Sequence, residues 1–474
     1  MGSMPEYVRD TRLPSGLLLF SLTMSMAICS VAAGQTPPDP AQNTPAAGNN
    51  GSPENGAASA PENPVEAYQL DQRKRVQALR RMDESLLTPQ ILAKFQKESR
   101  DYRTLIAVGT NGRNQKELET LRTGLQYRIL SMSDGAVQND PIDRENALKN
   151  FRRDLLRAGA QITNSQTRAQ FRELVCKESL DLIRKLLTNN FLARSFALEI
   201  LPDLEVVPPG NQTRMVMYDQ VDEVFVEVLR DPEQPDAVKA RAVNSITNYL
   251  QKADAIPQIQ MALASAISDE LSRPYTEVAY QVFLLAALEE VTAPRQLVAP
   301  TTAVSYCIAA RLMRDKNRDI QVRCRAARVM GRTGYDAQIN LEVLSWATAD
   351  LVLETAARFN KDRNKNDPKW VTSAYYLYTA FHHWERDEAT GRAPALPKGF
   401  LNRDARSEVV KKAYELSIPV ISHMLMGKAD VPNRSLIPLF QWTGDNKPAN
   451  LKFDPSCPPL VAAGSNGAAA DGGQ

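Results

Sequence analysis

Val322-Arg323-Cys324-Arg325-Ala326-Ala327-Arg328-Val329-Met330-Gly331-Arg332-Thr333-Gly334, preceded by Asp319, is the stretch whose reading decides the fold. Its aliphatic residues and its Ala326–Ala327 pair recur at the three- and four-residue steps that bring side chains onto one helical face. Related segments start at Val238 (Val238-Lys239-Ala240-Arg241-Ala242-Val243-Asn244-Ser245-Ile246), Val278 (Val278-Ala279, Val282-Phe283, Ala286) and Leu192 (Leu192-Ala193-Arg194, Phe196-Ala197, Ile200-Leu201). The starts lie about 46, 40 and 44 residues apart, inside the range of roughly 40–47 typical of two-helix repeat units. One such hairpin cannot bury its apolar stripe alone, so the units are expected to stack into a continuous core, with small residues such as Ala242 and Ala326 allowing close approach.

The pattern of an acidic residue, Val-Arg, a small pair, an aliphatic residue and Gly resembles the second helix of a HEAT repeat of the short bacterial, lyase-associated kind. The resemblance covers roughly residues 189–334. The Val278 copy departs from it, lacking the basic second residue and carrying Phe283 in the small pair. What the resemblance implies is an α-solenoid offering a binding surface, with no fixed chemistry and no catalytic residue to carry over.

Outward from this centre the chain reads as all-α. Helical apolar spacing recurs in Ala147, Phe151, Leu155 and Leu156, in Phe171, Leu174, Val175, Leu182, Ile183, Leu186 and Leu187, and in Val221, Val224, Phe225, Val228 and Leu229. Thr88-Pro89 and Asp231-Pro232 supply helix starts, since Thr or Asp caps the first amides and Pro fits the first turn. We expect an N-terminal helical region over 67–188 and stacked helical hairpins over 189–390. A terminal helix and Pro-rich strap follow over 391–461, with Phe440, Trp442 and Phe453 as its anchors, and a disordered tail over 462–474.

The N-terminus reads as an export signal. Arg9 and Arg12 precede an uncharged run from Leu13 to Gly34 that ends in the small residues Val31, Ala32, Ala33 and Gly34. An uncleaved membrane anchor is the alternative, the run being just long enough to span a bilayer; lipidation of Cys29 is opposed by the bulky Ile28 before it. Residues 35–66, rich in Pro, Ala, Gly, Asn and Ser, are expected to be a flexible tether.

Composition limits the function classes. The 474 residues, 43% hydrophobic and 24% charged, argue against a mostly disordered or polytopic membrane chain. A net charge of +2 gives no global field for nucleic acid, although the charge runs from about +7 over 66–200 to about −8 over 202–300 and about +6 over 301–430. Such runs read first as solvated helix faces, and next as a polar partner or self-association between oppositely charged segments.

No motif for catalysis emerges. The histidines are His382, His383 and His423; adjacent ones on a helix point about 100° apart and make poor joint zinc ligands. Acidic pairs such as Asp222-Glu223 and Glu289-Glu290 are too common on helices to suggest a glycosidase. No catalytic, cofactor or metal residue is assigned. Candidate partner-binding residues are a basic strip, Arg323, Arg325, Arg328 and Arg332, and an aromatic group, Tyr375, Tyr376 and Tyr378, in a segment otherwise suited to core packing. Cys307 and Cys324, on successive helices of one unit, are the first disulfide to expect in an exported chain; isolated buried thiols are the alternative.

The sequence therefore points to a periplasmic, secreted or outward-facing tethered scaffold without enzymatic activity, binding one or more protein partners, with an anionic envelope polymer as a further candidate. Nucleic acid is not expected, and membrane contact only through an uncleaved N-terminus. An all-helical envelope enzyme or polymer-binding accessory protein, and a self-associating structural component, are the alternatives. Mass spectrometry of the purified protein is expected to find a chain beginning at Gly34 or Gln35; an intact Met1 in the membrane fraction would rule out cleavage.

Overall fold

The computed structural model describes residues 63–82, 85–110, 112–208, 215–253, 255–273, 276–291, 305–332, 339–382, 399–404, 406–427, 429–454, 457 and 459–460. The export segment 1–34 with Cys29, the tether up to residue 62, Thr333, Gly334, His383, Trp384 and the tail 462–474 lie outside these residues. The described residues belong to one compact unit spanning 60–474.

The unit is predominantly helical. Its first part comprises α1 (Pro64–Arg80), α2 (Pro89–Val108), α3 (Gln115–Leu130), α4 (Gly135–Asn139), α5 (Pro141–Arg157) and α6 (Ser165–Leu186). Next come α7 (Phe191–Ile200), a two-stranded antiparallel ribbon of β1 (Glu205–Val207) and β2 (Val216–Met217), α8 (Val221–Arg230), α9 (Asp236–Lys252), α10 (Pro257–Leu271) and α11 (Val278–Glu289). The last part holds α12 (Ser305–Arg314), α13 (Ile320–Arg332), α14 (Leu341–Lys361), α15 (Pro368–Phe381), α16 (Phe400–Arg403), α17 (Glu408–Met426) and α18 (Asn433–Asp445).

Helix starts follow local chemistry. The Thr88 hydroxyl accepts from the Ile91 amide ahead of α2, and Pro89 occupies the first turn. Asp319 accepts from the Gln321 amide at 2.7 Å, so the acidic residue before Val-Arg acts as the cap of α13. Two expectations at the ends need correction. Residues 63–66 are not tether, because Asn63 caps the Val65 amide and α1 begins at Pro64. Residues 433–445 are not extended strap: α18 forms with Pro432 as its cap residue and accommodates Pro438 inside, forfeiting one backbone bond.

Each of α7, α9, α11, α13 and α15 packs on the helix two places further along, ending at α17, while α8, α10, α12 and α14 pack successively on a second side. Burial repeats evenly along this series. After Val238, Tyr280 and Val322, each 42 residues beyond the last, the residues at the first, fourth, fifth, seventh and eighth following positions are all buried. The third copy therefore takes its register from Tyr280 rather than Val278, which is only half-buried, and its close-packed pair is Leu284–Leu285 rather than Val282–Phe283. Aliphatic identity misled the alignment, since an aromatic fills the buried slot. The same spacing brings the first copy to Phe196, with Ala197, Ile200 and Leu201 buried after it, rather than to Leu192.

Two buried cations recur in this frame. Lys239 Nζ donates to the Leu229 carbonyl at 2.6 Å, ten residues back, and to Glu270 at 2.9 Å, 31 residues on. Arg323 makes the same pair of contacts, to the Met313 carbonyl at 3.1 Å and to both oxygens of Glu354 at 2.6 and 2.7 Å. In each case a cation near the start of one helix ties it to the helix before and to a helix further on. In the intervening copy both partners are uncharged, Gln281 and Leu312, so no charge is stranded.

Gly331 lies directly against the backbone of α15: a Cβ there would lie 2.2 Å from the Ala380 carbonyl oxygen, and its own carbonyl accepts from Gly399 at 2.7 Å. Gly331→Ala is expected to destabilise the fold by about 1–3 kcal/mol through overpacking against backbone, read as a lowered urea midpoint. An unchanged midpoint would mean the two helices are free to separate.

Candidate functional site

The predicted basic strip is not a solvated surface. Arg325, Arg328 and Arg332, all buried, converge on Glu289 at the end of α11. Arg325 meets Glu289 at 2.6 Å and Arg328 at 3.1 Å; Arg332 pairs with the other carboxylate oxygen. The spacing of three and then four residues aims all three guanidiniums along one face of α13, as expected, but that face lies against α11 and α15. Tyr376 stacks under Arg325 at 5.0 Å and Tyr375 under Arg328 at 5.4 Å.

Two members of the predicted set stand apart. Arg323 occupies the opposite face and is spent on Glu354, with 1% of its surface exposed. Tyr378 turns toward α17, its ring 6.2 Å from that of His382, which stacks on Tyr414 at 5.9 Å. Tyr375 is the one tyrosine of the three that is exposed. Trp370 and Phe381 are core residues, as their spacing suggests.

Burial alone would resist a charge at Glu289, but the guanidiniums of Arg325, Arg328 and Arg332 outweigh it and hold the carboxyl at about 2. Arg328, also opposed by burial, is raised by the same carboxylate. Arg325 is lowered, burial and the neighbouring guanidiniums exceeding the pull of Glu289. The cluster is thus a rigid ion knot, with no group placed as nucleophile or general base. Nothing local marks Glu289: its partners lie 36, 39 and 43 residues on, on α13.

The disulfide joins Cys307 to Cys457, not to Cys324, with Cα atoms 5.4 Å apart. Cys324 is fully buried against α14, its sulfur 3.5 Å from the Thr355 hydroxyl, and desolvation pushes its thiol up to about 12. It points into the core while Cys307, half-buried on α12, meets the C-terminal segment. That segment is held further by the Asn340 amide on the Phe453 carbonyl at 2.8 Å. Of the three predicted anchors Phe453 is buried, Trp442 half-buried and Phe440 70% exposed, because the inward face of α18 is carried by Leu439 and Thr443.

A second locus escaped the sequence reading. A cleft of about 380 Å³ lies among α5, α7 and α9. Phe191, Leu192, Phe196 and Pro202 give it apolar walls; Arg144, Arg152, Arg241, Lys252, Glu199 and Asp203 charge it; Ser195, Asn244, Ser245 and Asn248 add neutral polar groups. Arg152 binds Asp203 at 2.7 Å and Glu199 at 3.3 Å, so both carboxylates are engaged. The signal was present in the polar series Arg241, Asn244, Asn248 and Lys252, which shares one face of α9.

Among the described residues no group of three or more His, Cys, Asp or Glu side chains could hold a metal ion, and no helix is long and apolar enough to cross a membrane. Compared with protein-family models, with curated proteins and with solved structures, the chain matches none.

Glu289→Gln is expected to destabilise by about 3–5 kcal/mol, by removing the carboxylate that three buried guanidiniums share. In the parent, the carboxyl lies at about 2 when folded against an ordinary 4.5. Its contribution of about 3 kcal/mol is complete above pH 4.5 and is lost as pH falls through about 2. Denaturant titrations between pH 6 and pH 2 should therefore show the parent losing stability toward acid more steeply than the variant; parallel curves would refute the assignment.

Proposed function

We propose that this chain is a non-enzymatic scaffold of HEAT-like α-solenoid type, exported to the cell envelope, that holds a protein partner on the face formed by its recurring second helices. The cleft among α5, α7 and α9 carries the reading: it opens on that face and combines apolar walls with a polar, charged lining, the mixture found at protein-binding surfaces. The even 42-residue register and the packing of each helix on the one two places later support the solenoid. The Cys307–Cys457 bridge supports an oxidising compartment. Against enzymatic use of the cleft, its described lining contains neither His nor Cys, and its two carboxylates are already bound by Arg152.

Photo-crosslinking in the cells that make the protein tests this. With p-benzoylphenylalanine at position 248, in the cleft, irradiation should give a discrete heavier adduct; at position 434, on α18, it should not. No adduct at 248, or the same ladder from both positions, would remove the reading.

A further inference from the structure

Arg325, Arg328 and Arg332 on α13 stand 84 residues, two repeats, beyond Arg241, Asn244 and Asn248 on α9. The two sets occupy the same face of equivalent helices. On α13 that face is filled from within: a carboxylate from α11 and two aromatic rings from α15 cover the guanidiniums. On α9 the corresponding face borders the open cleft. Only one of the three guanidiniums persists on α9, at Arg241, and its counterpart Arg325 meets both a carboxylate and an aromatic ring.

The cleft's own chemistry agrees. Arg144 from α5 and Lys252 from the end of α9 line it, and neither is in an ion pair among the described residues, whereas the acidic residues present are occupied by Arg152. The lining carries four cations against two carboxylates. The half-buried Phe191 and Leu192 give the cleft an apolar side that a purely anionic ligand such as a phosphate or a sulfated polysaccharide would leave unused. On α5, Leu156 is 68% exposed one turn beyond the lining residue Arg152, which adds an apolar side chain next to it.

We infer that the cleft binds an acidic peptide segment of a partner protein in which carboxylate and large apolar side chains are interspersed. The carboxylates fall to Arg144 and Lys252, and an apolar side chain enters against Phe191 and Leu192. This rests on the reading of the chain as a protein-binding scaffold and names the class of partner segment that it takes.

The test is fluorescence anisotropy on the full mature chain, using a fluorescein-labelled octapeptide of alternating Glu and Leu. Saturable binding is expected, weakened at least about tenfold in the double variant Arg144→Glu/Lys252→Glu. The control Arg434→Glu on α18 should leave it unchanged. Replacing the peptide's Leu by Ser should weaken binding at least about fivefold, and replacing its Glu by Lys should abolish it. Thermal melts of both charge-reversed proteins are expected to match the parent, since Arg144 is half-buried and Lys252 exposed. Equal binding by the double variant would overturn the inference. So would a Glu/Ser peptide or dextran sulfate binding as tightly as the Glu/Leu peptide, which would make the cleft a site for anionic polymer. Absence of peptide binding alongside a discrete crosslink from position 248 would overturn the acidic-segment inference while leaving the scaffold reading standing.

Discussion

Burying an ammonium or guanidinium is costly unless it is paired and hydrogen-bonded on nearly every side, and the stacking of this chain is organised around meeting that condition. Lys239 and Arg323 do so identically. Each is desolvated at the start of a second helix, drawn back to a carbonyl at the end of the preceding helix and forward to a glutamate of the following hairpin. A contact of this kind adds little net energy over a well-packed apolar alternative, as the Gln281 copy illustrates by dispensing with it. What it fixes is register: a hairpin slipped by one residue would leave a bare cation inside the protein.

The same logic separates the two faces of interest. Around Glu289 three guanidiniums share one carboxylate and two of them lie against tyrosine rings, so the charge on this part of the face is turned inward. On α9, 84 residues earlier, Arg241, Asn244 and Asn248 line a cleft that holds more cations than carboxylates. Corresponding helix positions can thus be covered by neighbouring helices in one part of the chain and border a cleft in another, the difference lying in what those helices bring.

The all-α class was legible because helical periodicity is a local property: windows such as Val221 to Leu229 and the Val322 segment carry their own evidence. Similar segments could be picked out in the sequence, but not the 42-residue register of their buried positions. Tyr280 and Phe196 fill slots taken elsewhere by valine, and only burial shows that they are equivalent. The arginine face of α13 was read correctly as geometry and wrongly as surface, because Glu289, Tyr375 and Tyr376 reach it from other helices. The pairing of Cys307 was beyond reach for the same reason: its partner lies 150 residues away, in a segment whose path is set by tertiary packing. The cleft had a local trace in the polar face of α9, yet such faces are ordinarily just solvated, and its other walls come from α5 and α7.

The bridge between Cys307 and Cys457 closes a covalent ring that contains α13 through α18. Helices toward the end of a chain ordinarily fray first unless something ties them down. Here the last helices cannot be lost that way. One peptide bond cut anywhere inside the ring leaves both pieces attached, and tension applied to the C-terminal tail is delivered to α12, several helices inward, instead of to α18. The end of the molecule is therefore protected against peeling and nicking in a compartment that keeps the bond oxidised, and loses that protection where thiols are kept reduced.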